Sequence, residues 1–253
     1  MIRNMADIDV RQSLRLVLQQ IEAACSRRND KFAGIKPQLV AVSKIKPAEL
    51  IVEAYEEGQR HFGENYVQEL QEKATSPLIL EKCKDIKWHF IGHLQANKIN
   101  KVLSVPNLYM IETVDTKQLA TQLNTRWPNF GPPNSKLNIM IQVNTSGEAE
   151  KSGLDPNEVT ELAKYVLNDC SNLRLEGLMT IGKYEKYDYS KVANPDFLCL
   201  IKCRDDLCSE LGLNWKDIAL SMGMSHDFEH AIELGSHYIR VGQMIFGERP
   251  IKI

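Results

Sequence analysis

Lys44 stands at the end of an apolar run, a place where a lysine can do chemistry. Leu39-Val40-Ala41-Val42-Ser43 leads into it, and Pro47 stops the run. Small and β-branched side chains without a charge read as a strand buried on both faces, as in a parallel sheet. A period of two puts Val40, Val42 and Lys44 on one face and Leu39, Ala41 and Ser43 on the other. Lys44 is then the last side chain on its face. Desolvation would lower the pKa of its ammonium, leaving an amine that can attack a carbonyl. The plainer reading is that Lys44 marks where the strand meets water, and position alone leaves both open. Two further stretches bear on the choice. Ser221-Met222-Gly223-Met224-Ser225 offers hydroxyls and turn glycine, and Arg240-Val241-Gly242-Gln243 offers a permanent cation beside a residue without a side chain. Ser225 at a helix start could present its hydroxyl and backbone N–H groups to an anion. Gly242 permits close backbone approach.

The elements that would position these residues follow from periodicity. Val10, Leu14, Val17, Leu18 and Ile21 form one helical face, an N-terminal docking helix over about residues 7–28. The strand before Lys44 follows, and Pro47 opens a helix that Gly58 stops. Further strands are expected at 61–65, 86–92, 108–114, 137–144, 173–181, 217–222 and 238–246, with helical patterns between them. Asp115 and Gln118 make a capping-box pattern, Asp155-Pro156-Asn157-Glu158 caps another helix, and 183–196, with three tyrosines, reads as a polar loop. Eight strands alternating with helices over 253 residues predict a single α/β domain, residues 1–253, folded as a (β/α)8 TIM barrel. A doubly wound open sheet is the alternative. In a barrel the functional residues belong at the carboxyl ends of the strands, and the loops after strands seven and eight are the habitual phosphate site.

Composition narrows the classes. Charged residues are 25%, apolar residues 43%, and the net charge is -2, which gives no electrostatic case for nucleic acid or an anionic membrane. No apolar run reaches the length of a membrane span, and the amino terminus lacks the apolar core of a signal peptide. Cys25, Cys83, Cys170, Cys199, Cys203 and Cys208 form no CxxC pair, so no zinc site is expected and the thiols read as small apolar groups. A reducing cytoplasm is the simplest location. A nucleophilic lysine and a phosphate cradle across one barrel mouth fit either a Schiff-base aldolase acting on a sugar phosphate or a pyridoxal phosphate site. Arg240 favours the second, because an inward cation can donate to a pyridine nitrogen.

Seven motifs then match one family in order, from about residue 37 to 250. They are Val40-Ala41-Val42-Ser43-Lys44, Phe62-Gly63-Glu64-Asn65-Tyr66, Trp88-His89-Phe90-Ile91-Gly92-His93-Leu94-Gln95, Asn144-Thr145-Ser146, Gly177-Leu178-Met179-Thr180-Ile181-Gly182, Leu220-Ser221-Met222-Gly223-Met224-Ser225 and Ile245-Phe246-Gly247-Glu248-Arg249. The sequence resembles the pyridoxal phosphate homeostasis proteins, also called proline synthetase co-transcribed proteins. The resemblance implies a type III pyridoxal phosphate barrel similar to the N-terminal domain of alanine racemase. It implies that Lys44 carries pyridoxal 5'-phosphate as an internal aldimine, that Ser225, Gly242 and Gln243 hold the phosphate, and that Arg240 faces the pyridine nitrogen. Asn65, His93, Met179 and Ser221 fall in motifs lining the same mouth. Most relatives have Ser or Thr where this chain has Gln243, so its side-chain contact differs. His226 stands where an alanine is usual and reads as a surface helix residue.

The same resemblance argues against racemization. Acid–base groups are needed on both faces of the substrate carbon. In alanine racemase the second is a tyrosine from a partner's C-terminal domain, whereas this chain runs seven residues past Phe246. Ile181 stands where those racemases place a histidine, and Arg240 would keep the pyridine nitrogen unprotonated. The expected role is therefore to hold the cofactor and supply it to pyridoxal-phosphate-dependent apoenzymes, as a monomer. A slow amino-acid racemase using Lys44 as its base is the alternative, with the aldolase behind it.

Overall fold

The computed structural model describes residues 8–183, 188–189 and 192–248. Eight parallel strands close into a barrel in chain order. They are β1 (Gln38–Val42), β2 (His61–Glu64), β3 (Lys87–Phe90), β4 (Leu108–Val114), β5 (Leu137–Gln142), β6 (Leu173–Met179), β7 (Ala219–Ser221) and β8 (Tyr238–Val241). The ring closes where β8 pairs with β1, with Val40 opposite Arg240. The open sheet is thereby excluded.

Alternation along the strands sorts the core into two parts. Val40 points to the barrel axis and packs with Met110, Met140, Met179, Ala219 and Tyr238. Leu39 and Ala41 point outward into the larger core beneath the helices. Gly177 is required where β6 meets β7, since a Cβ there would lie 1.9 Å from the Ala219 carbonyl oxygen.

Helix α1 (Val10–Arg27) buries Val10, Leu14, Val17, Ile21 and Ala24, and Asp9 caps it by accepting from the Gln12 N–H at 2.9 Å. Leu18, expected on that face, is 38% exposed, because the stripe follows steps of three and four from Val17 to Ile21 to Ala24. The outer ring is built from α2 (Ala48–Glu56), α3 (Val67–Ala74), α4 (Pro77–Lys82), α5 (Ile99–Leu103), α6 (Lys117–Arg126), α7 (Val159–Asp169), α8 (Pro195–Leu211), α9 (Phe228–Glu233) and α10 (Gln243–Phe246). Helix α1 packs across α2, α9 and α10.

Several boundaries differ from the sequence reading. The eighth strand ends at Val241: Gly242 (φ −122°, ψ −65°) turns the chain, and Gln243–Phe246 is a helical turn. The cap of α6 is Thr116, which accepts from the Leu119 N–H at 3.2 Å, while Asp115 lies outside it. Helix α4 was not expected, although Ser76-Pro77 is a start signal and Ser76 does cap it. Tyr184, Tyr187 and Arg249 lie outside the described residues. The six cysteines are free thiols, and burial pushes Cys83 up to about 11 and Cys203 up to about 12. No helix of the described residues is long and apolar enough to cross a membrane, and none of their His, Cys, Asp and Glu side chains cluster as a metal site.

Candidate functional site

The carboxyl ends of β1, β2, β3, β6, β7 and β8 surround a cavity of about 320 Å³. Its walls are Val42, Lys44, Lys46, Asn65, Ile91, Lys151, Ile181, Gly182, Met224, Ser225, His226, Arg240, Gly242, Gln243 and Gly247. That volume is at the lower end for small-molecule sites. Six of the nine expected site residues meet here: Lys44, Asn65, Ser225, Arg240, Gly242 and Gln243.

Lys44 lies two residues beyond β1 and is half-buried. Its flanks are tied to α3. Lys73 is buried and donates from one ammonium to the Ser43 carbonyl at 2.7 Å, Glu64 Oε1 at 2.7 Å and Glu69 Oε1 at 2.6 Å. Glu69 Oε1 also accepts from the Ile45 N–H at 2.5 Å, across a backbone held at φ 61°. Ser43 Oγ donates to Glu64 Oε1 at 2.6 Å. Burial pushes the Glu64 carboxyl up to about 7 against the pull of Lys73 and Ser43. Lys46 donates to the Glu248 carbonyl at 2.8 Å, and burial lowers its pKa.

Across the cavity, Arg240 projects inward from β8 and is 5% exposed. Its Nη1 donates to Ser221 Oγ at 2.5 Å and its Nη2 to the Thr180 carbonyl at 2.6 Å. Burial lowers its pKa, opposed by Glu112 and Asp227. Ser221 in turn donates to Glu112 Oε2 at 2.6 Å. Burial raises the Glu112 carboxyl, but His89, Arg240 and Ser221 outweigh it and hold the group below the ordinary carboxylate range.

The turn after β7 supplies the cavity's far wall. Asp227 Oδ1 accepts from the Met224 N–H at 2.6 Å and closes the turn on which Ser225 and His226 sit. Helix α9 starts only at Phe228, so Ser225 is a turn residue and not the cap of that helix, and His226 is an exposed turn residue at the rim. Gly223 (φ +96°) fits this turn because a Cβ would come 2.6 Å from Ala231 Cβ. At Gly242 a Cβ would stand 2.9 Å from the Val42 carbonyl oxygen. The Ile245 and Phe246 N–H groups of α10 both donate to the Gly242 carbonyl, at 3.0 and 2.9 Å, so the N–H groups of Gln243 and Met244 are the ones ahead of the first turn's acceptors.

Three expected residues sit elsewhere. Met179 is fully buried in the axial cluster beneath the cavity. Ser221 is also beneath it, acting through Arg240. His93 is largely exposed and lines an adjoining cavity of about 260 Å³ with Asn144, Thr145 and Ser152. Three contributors were missed: Glu112, His89 and Lys73. Glu112 had a signal, a lone acid inside the apolar run Met110-Ile111-Glu112-Thr113-Val114. His89 lies within the Trp88-His89-Phe90 stretch, where a histidine among strand residues carries no signal of its own. Lys73 had none, since a lysine on an amphipathic helix reads as solvated.

The fold and this cavity define a class, barrels that carry a lysine just past the first strand and an inward arginine on the last. The family model for the alanine racemase N-terminal domain matches residues 17–250. The pyridoxal phosphate homeostasis protein of Bos taurus is 50% identical over 244 residues, 96% of this chain and 89% of the relative. PipY of Synechococcus elongatus, solved with pyridoxal phosphate bound, is 30% identical, with a TM-score of 0.70 over 88% of this chain and 100% of that one. Alanine racemase from Corynebacterium glutamicum shares the fold alone, at 14% identity and a TM-score of 0.58 over 90% of this chain and 60% of that one. The chain belongs to the pyridoxal phosphate homeostasis protein family.

Proposed function

We propose that this protein binds pyridoxal 5'-phosphate in the 320 Å³ cavity, with Lys44 as the attachment point, and serves intracellular supply of the cofactor to apoenzymes. The observation that carries the reading is the placement of Lys44 and Arg240 in the walls of one cavity, in a chain half identical to the Bos taurus homeostasis protein. The residues present fit the group. Asn65 Oδ1 is buried without a hydrogen-bond partner and can accept from a ring hydroxyl. Gly242, where a Cβ would collide with the Val42 carbonyl, lets the chain turn so that its own backbone, Ser225 and Gln243 share one wall on which a phosphate can be held. Gln243 contributes its backbone N–H there. Arg240 keeps donors for a ring nitrogen after serving Ser221 and Thr180. When bound, the cofactor supplies an electrophilic aldehyde within reach of an amine.

Holding that aldehyde has a physical rationale, because free in solution it reacts with stray amines. Racemization has less support. Ile181 is apolar where a second base would help, and no tyrosine lines the cavity among the described residues. The purified protein is expected to absorb in the visible with added cofactor, to bleach with borohydride, and to yield a reduced pyridoxyl adduct on the Lys44 peptide. Lys44→Ala should lose the absorption band and the adduct. A wild-type protein that stays colourless would overturn the reading. Supply to apoenzymes predicts that loaded protein reactivates a pyridoxal-phosphate-dependent apoenzyme faster than free cofactor at equal concentration. Equal rates would refute direct transfer. The protein is proposed to act as a monomer, which light scattering reads directly.

A further inference from the structure

Beneath Arg240 the barrel axis is not apolar. A row of buried polar side chains descends from the cavity floor toward the amino-terminal end of the barrel. Ser221, Glu112 and His89 are fully buried, Arg240 is 5% exposed and His61 7%. Arg240 Nη1 lies 2.5 Å from Ser221 Oγ, Ser221 Oγ 2.6 Å from Glu112 Oε2, and Glu112 Oε1 2.7 Å from His89 Nδ1. His89 Nε2 is 2.8 Å from His61 Nδ1. Each link comes from a different strand: β8, β7, β4, β3 and β2.

The donors are ordered by chemistry. A guanidinium only donates, so Ser221 Oγ accepts from Arg240 and gives its single hydrogen to Glu112. Glu112 then accepts twice, from Ser221 and from the Nδ1–H of His89. Asp227 is the other acid whose field reaches Arg240. A stability role alone explains this row poorly. Replacing a buried ionic group by packed apolar side chains is often neutral or stabilising, and the rest of this axis is filled by Val40, Met110, Met140 and Met179. The row begins at Arg240, a strand-borne cation in the cavity wall, which ties it to what the cavity holds.

We propose that Glu112, acting through Ser221 and held in place by His89, is the positioning residue that fixes the Arg240 guanidinium, so that the site selects a ring presenting a hydrogen-bond acceptor at the cavity floor. This rests on the reading of the cavity as a pyridoxal phosphate site. The Ser221 hydroxyl, itself held by the Glu112 carboxylate, takes one guanidinium N–H while the Thr180 carbonyl takes another. The remaining N–H groups are left in one orientation. Without Glu112 the Ser221 hydroxyl loses the carboxylate that orients it toward Arg240, and without Ser221 the link between the two charges is cut.

The test is a pair of equilibrium titrations, with pyridoxal 5'-phosphate and with its 1-deaza analogue, in which C–H replaces the ring nitrogen. Wild-type protein is expected to prefer the natural compound by about tenfold or more, the range of a hydrogen bond to a charged group. In Ser221→Ala and Glu112→Gln the preference should fall to within about threefold. Weakening by general loss of structure would affect both compounds alike and leave their ratio unchanged. Ser221→Thr, which keeps the hydroxyl, should restore the preference. If Glu112→Gln does not fold, Ser221→Ala decides alone, since it removes one oxygen and leaves both charges. An unchanged ratio in Ser221→Ala overturns the inference, as does a wild-type protein that binds both compounds equally. A wild-type protein that binds neither overturns the cofactor reading instead.

Discussion

Lys73 serves three acceptors with one ammonium and so ties down both flanks of Lys44: the Ser43 carbonyl directly, and the Ile45 N–H through Glu69 Oε1, which accepts from both Lys73 and Ile45. The proposed attachment residue, Lys44, is thus carried on a segment fixed by a neighbouring helix. Lys73→Met should be costly because it strands Glu64, which is fully buried and already has one oxygen unpartnered. Breaking a buried pair in this way costs about 3–5 kcal/mol. The loss carries a pH signature. Glu64 has a folded pKa raised to about 7, so its neutral form is favoured on folding, and that advantage is lost as pH rises through the folded value. Removing Lys73 raises the folded value further. The deficit of Lys73→Met should therefore be largest above pH 7, shrink toward pH 5, and be relieved in part by adding Glu64→Gln. Urea unfolding of the two variants at both pH values checks this. A deficit independent of pH would mean that Glu64 is not the stranded group.

At the scale of elements, the site depends on a helix that supplies none of its cavity-lining side chains. Helix α1 packs across α9 and α10, and α10 begins at Gln243 on the cavity wall. Ile8, just before α1, lies where a Cβ on Gly247 would come within 2.2 Å of its Cδ1. Leu14→Ala, at a fully buried position on α1, should cost about 2–5 kcal/mol. It should also weaken cofactor binding by loosening α10. Leu16→Ala, on the exposed side, should change neither. Thermal melts and a cofactor titration of the two variants separate buttressing from a merely local loss. Such dependence was only partly legible in the sequence. The period-two pattern of β1 correctly divided Val40 from Leu39 and Ala41, because one side of each strand meets the axis and the other the helices. The apolar stripe of α1 was readable from its spacing, but the partner it covers was not. Strand ends were the weak point. The apolar run through Val241 to Phe246 suits strand and helix alike, and only the backbone angles at Gly242 separate them. Lys44, Ser225, Arg240 and Gly242 were legible from position at strand ends. Glu112 was legible only as an acid out of place in an apolar run and His89 not at all, since a polar residue inside a buried strand shows its purpose only when its neighbours from other strands are in place.

For the whole molecule, the buried ionisable groups set a pH window for folding. Burial depresses His61 to about 3 and His237 to about 4, so both fold as neutral rings while the unfolded chain binds protons near the ordinary value of 6.5. The field of His89 and Lys87 adds to the shift at His61, and that of Arg204 at His237. A depressed histidine contributes stability that is complete above about 6.5 and is lost as pH falls toward the folded value. Glu64 runs the other way, binding a proton in the folded state between its ordinary 4.5 and about 7. Between pH 6.5 and 4.5 the unfolded chain comes to hold about two protons on these groups while the folded chain holds about one. Stability should then decline by about 1.4 kcal/mol per pH unit for the net proton. Below 4.5 Glu64 is protonated in both states, its offset disappears, and the decline should steepen until His237 charges near 4. Denaturant unfolding across pH 4–7 would show a gentle slope followed by a steeper one. His237→Gln, removing one titrating ring from a half-buried position, should flatten the upper segment, because the remaining ring and Glu64 then nearly cancel. A wild-type curve that steepens at 6.5 instead would place Glu64 outside this balance, leaving the two histidines to act unopposed.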